Sequence, residues 1–510
     1  MQGNHKHGPG SASSFYEPGI HAYSDVDMKL DITPNANTTW DYVFDSKFRF
    51  AEDRKVDREG FSAEKMRFVA KNETQKITLG DIYAVASPYT MNRAIKGGGY
   101  EYTINDDSYV RAAMGSFHSN WEYVYGHGPN EGMDRTGAST RAQFGTSDYN
   151  IGLNAALVFD DEEDTDRGSS ETAYRNQVGG MDFEYRNDTY RLEGEYAYAH
   201  ATKLTTSDGA HGKVGNAARL RLRTEFFGIG TTVKLETVTP KFVTLGGGAS
   251  IDKRRLDVRL RKSFNKEWQG FANFNMYHNK LPGSTVENRT HNLFEEVGVT
   301  RKNLFDRKRL RVSTSLRYKE TVTNNNQKHL DSHRIKISAS DRIAKIYTVR
   351  GSFELSDDND QINDTRAQNY FYRFSLSSRH RVFDKKWTLK PTLSLEHQER
   401  DNVNTVGEDY VDGIRLGITA RGPDKVRWGA SFDYKNNRIM ESRDWDTYKF
   451  RTYWETRPDF LEGAKFRIDG WHNRSEYDYA NGQSSYREEV IKMGLTWDFK
   501  DIHYAFSDDE

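Results

Sequence analysis

Ala218-Arg-Leu-Arg-Leu-Arg-Thr-Glu-Phe226 alternates without a break. On an extended chain Ala218, Leu220, Leu222, Thr224 and Phe226 fall on one side, and Arg219, Arg221, Arg223 and Glu225 on the other. A helix would mix the two sets, so the stretch reads as a strand with one apolar and one charged face. The same period of two sets Leu310, Val312, Thr314, Leu316 and Tyr318 against Arg311, Ser313, Ser315, Arg317 and Lys319. It sets Tyr370, Tyr372, Phe374 and Leu376 against Phe371, Arg373, Ser375 and Ser377, and it recurs through Trp387 to Leu395, Val426 to Tyr434 and Ile491 to Phe499. Each run spans about 9 to 13 residues, which is what a tilted strand needs to cross a bilayer.

Connections carry a second signal, because their lengths alternate. Asn72-Glu-Thr74, Asn105-Asp-Asp-Ser108, Arg186-Asn-Asp-Thr189, Asn265-Lys-Glu-Trp268, Asp384-Lys-Lys386 and Gly422-Pro-Asp-Lys425 have the composition of hairpin turns. Between successive hairpins lie longer Gly- and charge-rich stretches, at 80–98, 127–137, 160–171, 202–215, 239–253, 279–290, 356–368, 399–411, 436–446 and 477–486. Short turns on one side and long loops on the other are the asymmetry of a transmembrane barrel. The fold class predicted is therefore all-β, a large antiparallel transmembrane β-barrel of about 24–26 strands.

About 25 strands are countable from His21 to Lys500, and an odd number implies one more. The expected organisation is a flexible external remnant at 1–20, a single barrel at 21–506 and a tail at 507–510. A first strand and a secretory signal are expected upstream of Met1, since Met1-Gln-Gly-Asn-His-Lys-His7 is followed by no apolar stretch.

Composition agrees with a barrel and excludes other classes. Of 510 residues only 35% are hydrophobic, too few for a soluble core of that size, yet 13% are aromatic, too many for a disordered chain. A water-filled barrel reconciles the two, because one strand residue in two faces solvent. Lys and Arg number 74 against 75 Asp and Glu, so no global field favours nucleic acid as a partner. The absence of cysteine excludes disulfides, cysteine zinc sites, thiolate nucleophiles and attached c-type haem. Tyr196, Tyr198, Trp428, Tyr434, Trp454, Trp471 and Trp497 are expected in interfacial girdles near strand ends.

On these features the chain resembles the large outer-membrane β-barrels of Gram-negative bacteria, over nearly its whole length. Ile491-Lys-Met-Gly-Leu-Thr-Trp497-Asp-Phe499 is similar to the final strand that such proteins offer to the barrel-insertion machinery, although the chain continues through Tyr504-Ala-Phe506 to Glu510. The resemblance implies an outer-membrane location with lipid and that machinery as partners, and no cofactor. The strand count is similar to the barrels of porin-cytochrome electron conduits. Polysaccharide-exporting barrels are alike in style. Ile77-Thr-Leu-Gly80-Asp81 with Lys96-Gly-Gly-Gly99 resembles early strands of export barrels and ushers.

The facing assignment puts Arg219, Arg221, Arg223, Arg259, Arg261, Arg311, Arg317, Arg373 and Arg379 on the lumen, with Glu193, Glu195, Glu396, Asp257 and Glu354 as opposing charges. They either favour anionic solutes or pair with one another and brace the wall. Loop 80–98 is unusually apolar at Tyr83, Pro88, Tyr89, Met91 and Ile95, so it either folds inward as a constriction or packs on the rim. Asp160, Asp161, Glu162, Glu163, Asp164 and Asp166, and Asp357, Asp358, Asp360 and Asp364, lack calcium-loop spacing and read as solvated loops. The glycine triplets at 97–99 and 246–248 read as loop hinges. His5 and His7 read as a polar tail. No metal site is expected, and His200 and His472 belong to no serine-histidine constellation, so no catalytic residue is expected. The function expected is a channel giving a wide polar passage to solutes or an exported polymer. Alternatives are a sheath for a multihaem cytochrome or another periplasmic, lumen-filling partner, and a surface adhesin or receptor acting through its loops.

Overall fold

The computed structural model describes residues 2–7, 18–32, 39–52, 60–118, 120–121, 124, 134–161, 173–204, 212–285, 289–323, 328–403, 408–423, 425–439, 443–461, 463–477 and 485–497. Among these residues one antiparallel sheet contains every strand. Its 28 segments form 26 wall strands, because Gly19–His21 runs into Tyr23–Ile32 across Ala22, and Thr365–Ser378 into His380–Val382 across Arg379. Each wall strand pairs with its sequence neighbours, as in an up-and-down barrel.

Three of the short turns are built around an asparagine. The Asn72 side-chain carbonyl accepts the backbone N–H groups of Thr74 and Gln75, Asn187 those of Thr189 and Tyr190, and Asn265 those of Glu267 and Trp268. Each side chain thereby supplies an acceptor that the chain reversal removes from the ladder. Phe227-Gly228 turns with both φ positive, at 51° and 67°, the geometry that matches strand twist.

The sheet has an apolar and a polar face along its whole course. Val26, Met28, Leu30 and Ile32 are exposed on the first long strand, as are Ile151, Leu153, Leu157 and Phe159 midway and Ile491, Met493, Leu495 and Trp497 on the last. An apolar band this continuous is incompatible with water and suited to lipid. The girdle expectation holds in facing for Trp428, Trp454 and Trp497, which are exposed on this side, but Trp471 stands opposite Arg451 on the polar face, under the Lys492 ammonium.

At the N-terminus Gln2–His7 differs from the external remnant expected for 1–20. It pairs with Arg487–Lys492 on one side, and Gln2–Asn4 pairs with Gly19–His21 on the other. Gln-Gly-Asn-His-Lys-His has no apolar alternate, so its strand character leaves no period to read. Only three residue pairs join it to Gly19–His21, and the sheet is not closed over its full height.

Two long loops are also largely strand. Residues 356–368 hold only the turn 361–364, and 80–98 is the upper part of a hairpin formed by Gln75–Ser87 and Met91–Asn105. Polar residues continue the ladder here because its bonds are made by backbone. Asp357 pairs with Arg366, whereas Asp358, on the opposite face, accepts from Ser332 and Asn369. In the acidic run, Glu162 to Asp166 lie outside the described residues, as do Phe499, Phe506 and the tail.

Candidate functional site

The hairpin Gln75–Asn105 belongs to the wall only in its lower half. Phe61–Lys71 pairs with it over Arg67 to Lys71, opposite Gly80 to Lys76, and Ser108–Ser116 pairs with it up to Lys96. Above Gly80 and Lys96 it leaves both neighbours and lies on the polar face.

Glycine makes the departure sterically feasible. Gly80 has φ +100°, and a Cβ there would overlap the Met66 carbonyl oxygen. A Cβ on Gly97 would overlap the Met114 carbonyl and crowd the Gly115 Cα, so backbones meet there without side chains. The triplet 97–99 therefore acts inside a strand, not in a loop, because a strand bending off the wall needs the same freedom. Asp81 fixes the bend. It accepts the Met66 N–H at 2.6 Å, the Trp121 indole N–H at 2.9 Å and the Lys96 ammonium at 2.6 Å. The Lys96 side chain is only 2% exposed, with its ammonium 5.0 Å from the centre of the Trp121 ring.

At the far end the tip Ser87–Met91 is held by side chains of several wall strands. Tyr89 is 1% exposed; its N–H donates to Glu195 Oε1 at 3.0 Å and its hydroxyl to Glu236 Oε1 at 2.8 Å. The Arg219 guanidinium lies 5.6 Å from the Tyr89 ring centre and pairs with Glu195 at 2.7 Å. Burial, then the Glu236 carboxylate, push the Tyr89 hydroxyl well above its usual range and keep it a donor. Arg141 donates to the Ala86 carbonyl at 2.8 Å while pairing with Asp182 at 2.6 Å. Ala84, Ala86, Met91 and Ile95 pack on Ala156 and Val158 of the wall. Tyr89 packs with Val178, Ala197, Ala199, Ala217, Val238 and Phe242. These small wall residues leave the room that the tip fills, and each large buried side chain contributes on the order of 1.5–3 kcal/mol.

A second segment, 239–252, folds over the tip. Phe242 is fully buried and meets the Tyr89 ring edge-on at 6.0 Å. The Asn176 amide donates to the Val243 carbonyl at 2.8 Å and accepts the Leu245 N–H at 3.1 Å. Backbone bonds Asn92 N–H to Gly246 and Gly248 N–H to Pro88 close it onto the hairpin. The triplet 246–248 lies in this segment, with Gly246 and Gly247 against Met91 and Tyr89.

Of the five residues expected from sequence to form a constriction or to pack on the rim, Tyr89, Met91 and Ile95 are buried where the hairpin meets the wall and the segment 239–252, and Pro88 contributes its carbonyl. Tyr83 does not join them; it is 62% exposed, because in a hairpin it points away from Ile82 and Ala84. The sequence reading misses Arg141, Asp182, Asn176, Glu236 and Phe242. Only the apolar run Phe242-Val-Thr-Leu245 in a loop otherwise rich in glycine signals one of them.

The arginines and carboxylates expected together share one face by register. Glu195 stands opposite Arg219 and Arg219 opposite Glu236, while Glu193 stands opposite Arg221. Arg259 pairs with Asp257 at 3.1 Å, Arg317 with Glu296 at 3.2 Å and Arg373 with Glu396 at 2.6 Å. Arg261 and Arg311 make no ion pair among the described residues. Arg379 sits at the break between two strand segments, its N–H on the Ile346 carbonyl.

No family model matches the chain, and no curated protein matches it. Solved structures similar to parts of it are outer-membrane proteins. OccAB4 of Acinetobacter baumannii aligns over 72% of this chain and 100% of its own at 9% identity, with a TM-score of 0.30. OprD of Pseudomonas aeruginosa aligns over 69% and 94% at 11% identity, also at 0.30. A bacterial polysaccharide outer-membrane secretin aligns over 73% and 94% at 12% identity, at 0.25. Scores this low do not bear on function, and the fold rests on the strand pairings themselves.

Proposed function

We propose that the chain is an outer-membrane channel for polar solutes, its passage narrowed from one side by the hairpin tip and the segment 239–252. The carrying observation is the division of the sheet: a continuous exposed apolar face, and a charged face on which the hairpin is docked. The first suits lipid and the second suits water, so the polar face encloses the passage. A sheath around a cytochrome or a polymer-export passage would use the same barrel. Either cargo, if it filled the lumen, would have to displace Tyr89 from Glu195 and Glu236, which favours the solute channel. No residue is assigned a catalytic role in this reading.

The test is single-channel recording of the full chain in a planar bilayer. Steady current steps are expected. A protein that is folded and inserted yet silent at every voltage would refute an open passage.

A further inference from the structure

Among the short turns, beside Asn187–Thr189, the strands border an open groove of about 760 Å³. Six arginines line it: Arg186, Arg191, Arg221, Arg223, Arg259 and Arg261. The register forces like charges together, since Arg191 stands directly opposite Arg223 and Arg221 directly opposite Lys234. Such cross-strand pairs repel one another. The nearby carboxylates are shared out thinly. Glu184 receives both Arg186 and Arg191 at 2.8 Å; Glu193 receives Arg191 at 2.8 Å and leaves Arg221 and Arg223 at 3.8 and 3.9 Å. Asp257 is divided between Arg255 and Arg259, and Arg261 makes no ion pair among the described residues. Asp188 and Glu225 also line the groove. Other arginines on the same face have a close carboxylate, as Arg135 has in Asp160 at 2.5 Å and Arg373 in Glu396 at 2.6 Å, and what sets this groove apart is that several under-matched arginines converge on it.

Repulsion between unmatched guanidiniums is relieved by a ligand that brings its own negative charges. We infer that this groove binds a soluble polyanion carrying two or more phosphate or sulfate groups, held by Arg221, Arg223 and Arg261. The planar guanidinium fork matches tetrahedral oxyanions in pairs of hydrogen bonds, and the volume suits a ligand of several such groups. The inference rests on the polar face being the channel wall and places a selective site at the short-turn mouth.

The test is calorimetric titration of the full chain in neutral detergent micelles with inorganic tripolyphosphate at low ionic strength. Saturable binding is expected, weakened at least about tenfold in R221Q/R223Q and by a smaller factor in R221K/R223K, which keeps the charge but loses the paired hydrogen bonds, with inorganic phosphate binding far more weakly. R451Q, elsewhere on the polar face, should bind as the parent does. Absence of binding to the folded parent overturns the inference, as does equal binding by R221Q/R223Q with a folded barrel confirmed by its circular dichroism. Because titration needs no current, binding by a protein that is silent in bilayers supports this site and counts only against the channel.

Discussion

Tyr89 and Glu236 are 147 residues apart in sequence, yet the tyrosine hydroxyl donates to the carboxylate at 2.8 Å. This bond ties the tip of the hairpin to a wall strand. Tyr89→Phe removes it while keeping the ring against Phe242, and should weaken docking by about 1.5–3 kcal/mol. Tyr89→Ala also removes the packing and should cost about 3 kcal/mol or more. In planar bilayers the expected order of conductance is Y89A above Y89F above the parent. Unchanged conductance in Y89A would show that the tip does not narrow the passage.

Gly97 and Gly98 are neighbours with opposite tolerances. A Cβ at Gly97 meets the Met114 carbonyl and the Gly115 Cα, whereas at Gly98 the nearest atom is Leu79 Cδ2 at 3.6 Å. Gly97→Ala should lower the yield of folded barrel, read as the heat-modifiable band on cold gel electrophoresis. Gly98→Ala should fold like the parent. Equal yields from the two would mean the wall backbones are not in contact there.

Asp81 and Lys96 form a pair whose two members differ in dependence on each other. Asp81 retains the Met66 and Trp121 donors if Lys96 is lost, whereas the Lys96 ammonium, if Asp81 is lost, is buried above the Trp121 ring. Asp81→Asn should therefore destabilise more than Lys96→Met, by up to about 3–5 kcal/mol in total. Urea unfolding midpoints of the two variants in micelles would show the order, and the reverse order would contradict the geometry described.

Asn176 is the clasp of the segment 239–252. Asn176→Ala strips partners from the Val243 carbonyl and the Leu245 N–H, at a cost of about 1–3 kcal/mol for each group left unsatisfied. Lys241, exposed beside buried Phe242, then becomes a faster site for trypsin. Mass spectrometry of timed digests should show cleavage after Lys241 rising several-fold over the parent.

Much of this architecture is legible in one dimension. Ala218 to Phe226 already carries strand, facing and length, and Arg219 does stand with Glu195 and apart from Leu220. Tyr89, Met91 and Ile95 stand out as too apolar for a solvent loop. The sequence leaves two outcomes for them, inward folding or rim packing, and it gives no sign that Tyr89 docks on Glu195, Glu236 and Val178 of the polar face. Gln2–His7 is invisible for the converse reason: its pairing with Arg487–Lys492 is made by backbone groups that every residue possesses.

By itself, then, the sequence determines what is local and periodic. Alternation of side chains sets the strands and their two faces, and Asn72, Asn187 and Asn265 set the turns, because those effects act within a few residues. The tertiary structure alone decides where the hairpin leaves the wall, which wall residues receive Tyr89, and which arginines at the short-turn mouth lack a close carboxylate. Those outcomes depend on contacts between residues as much as 160 positions apart, as between Pro88 and Gly248, and such proximity follows from the order of strands around the sheet.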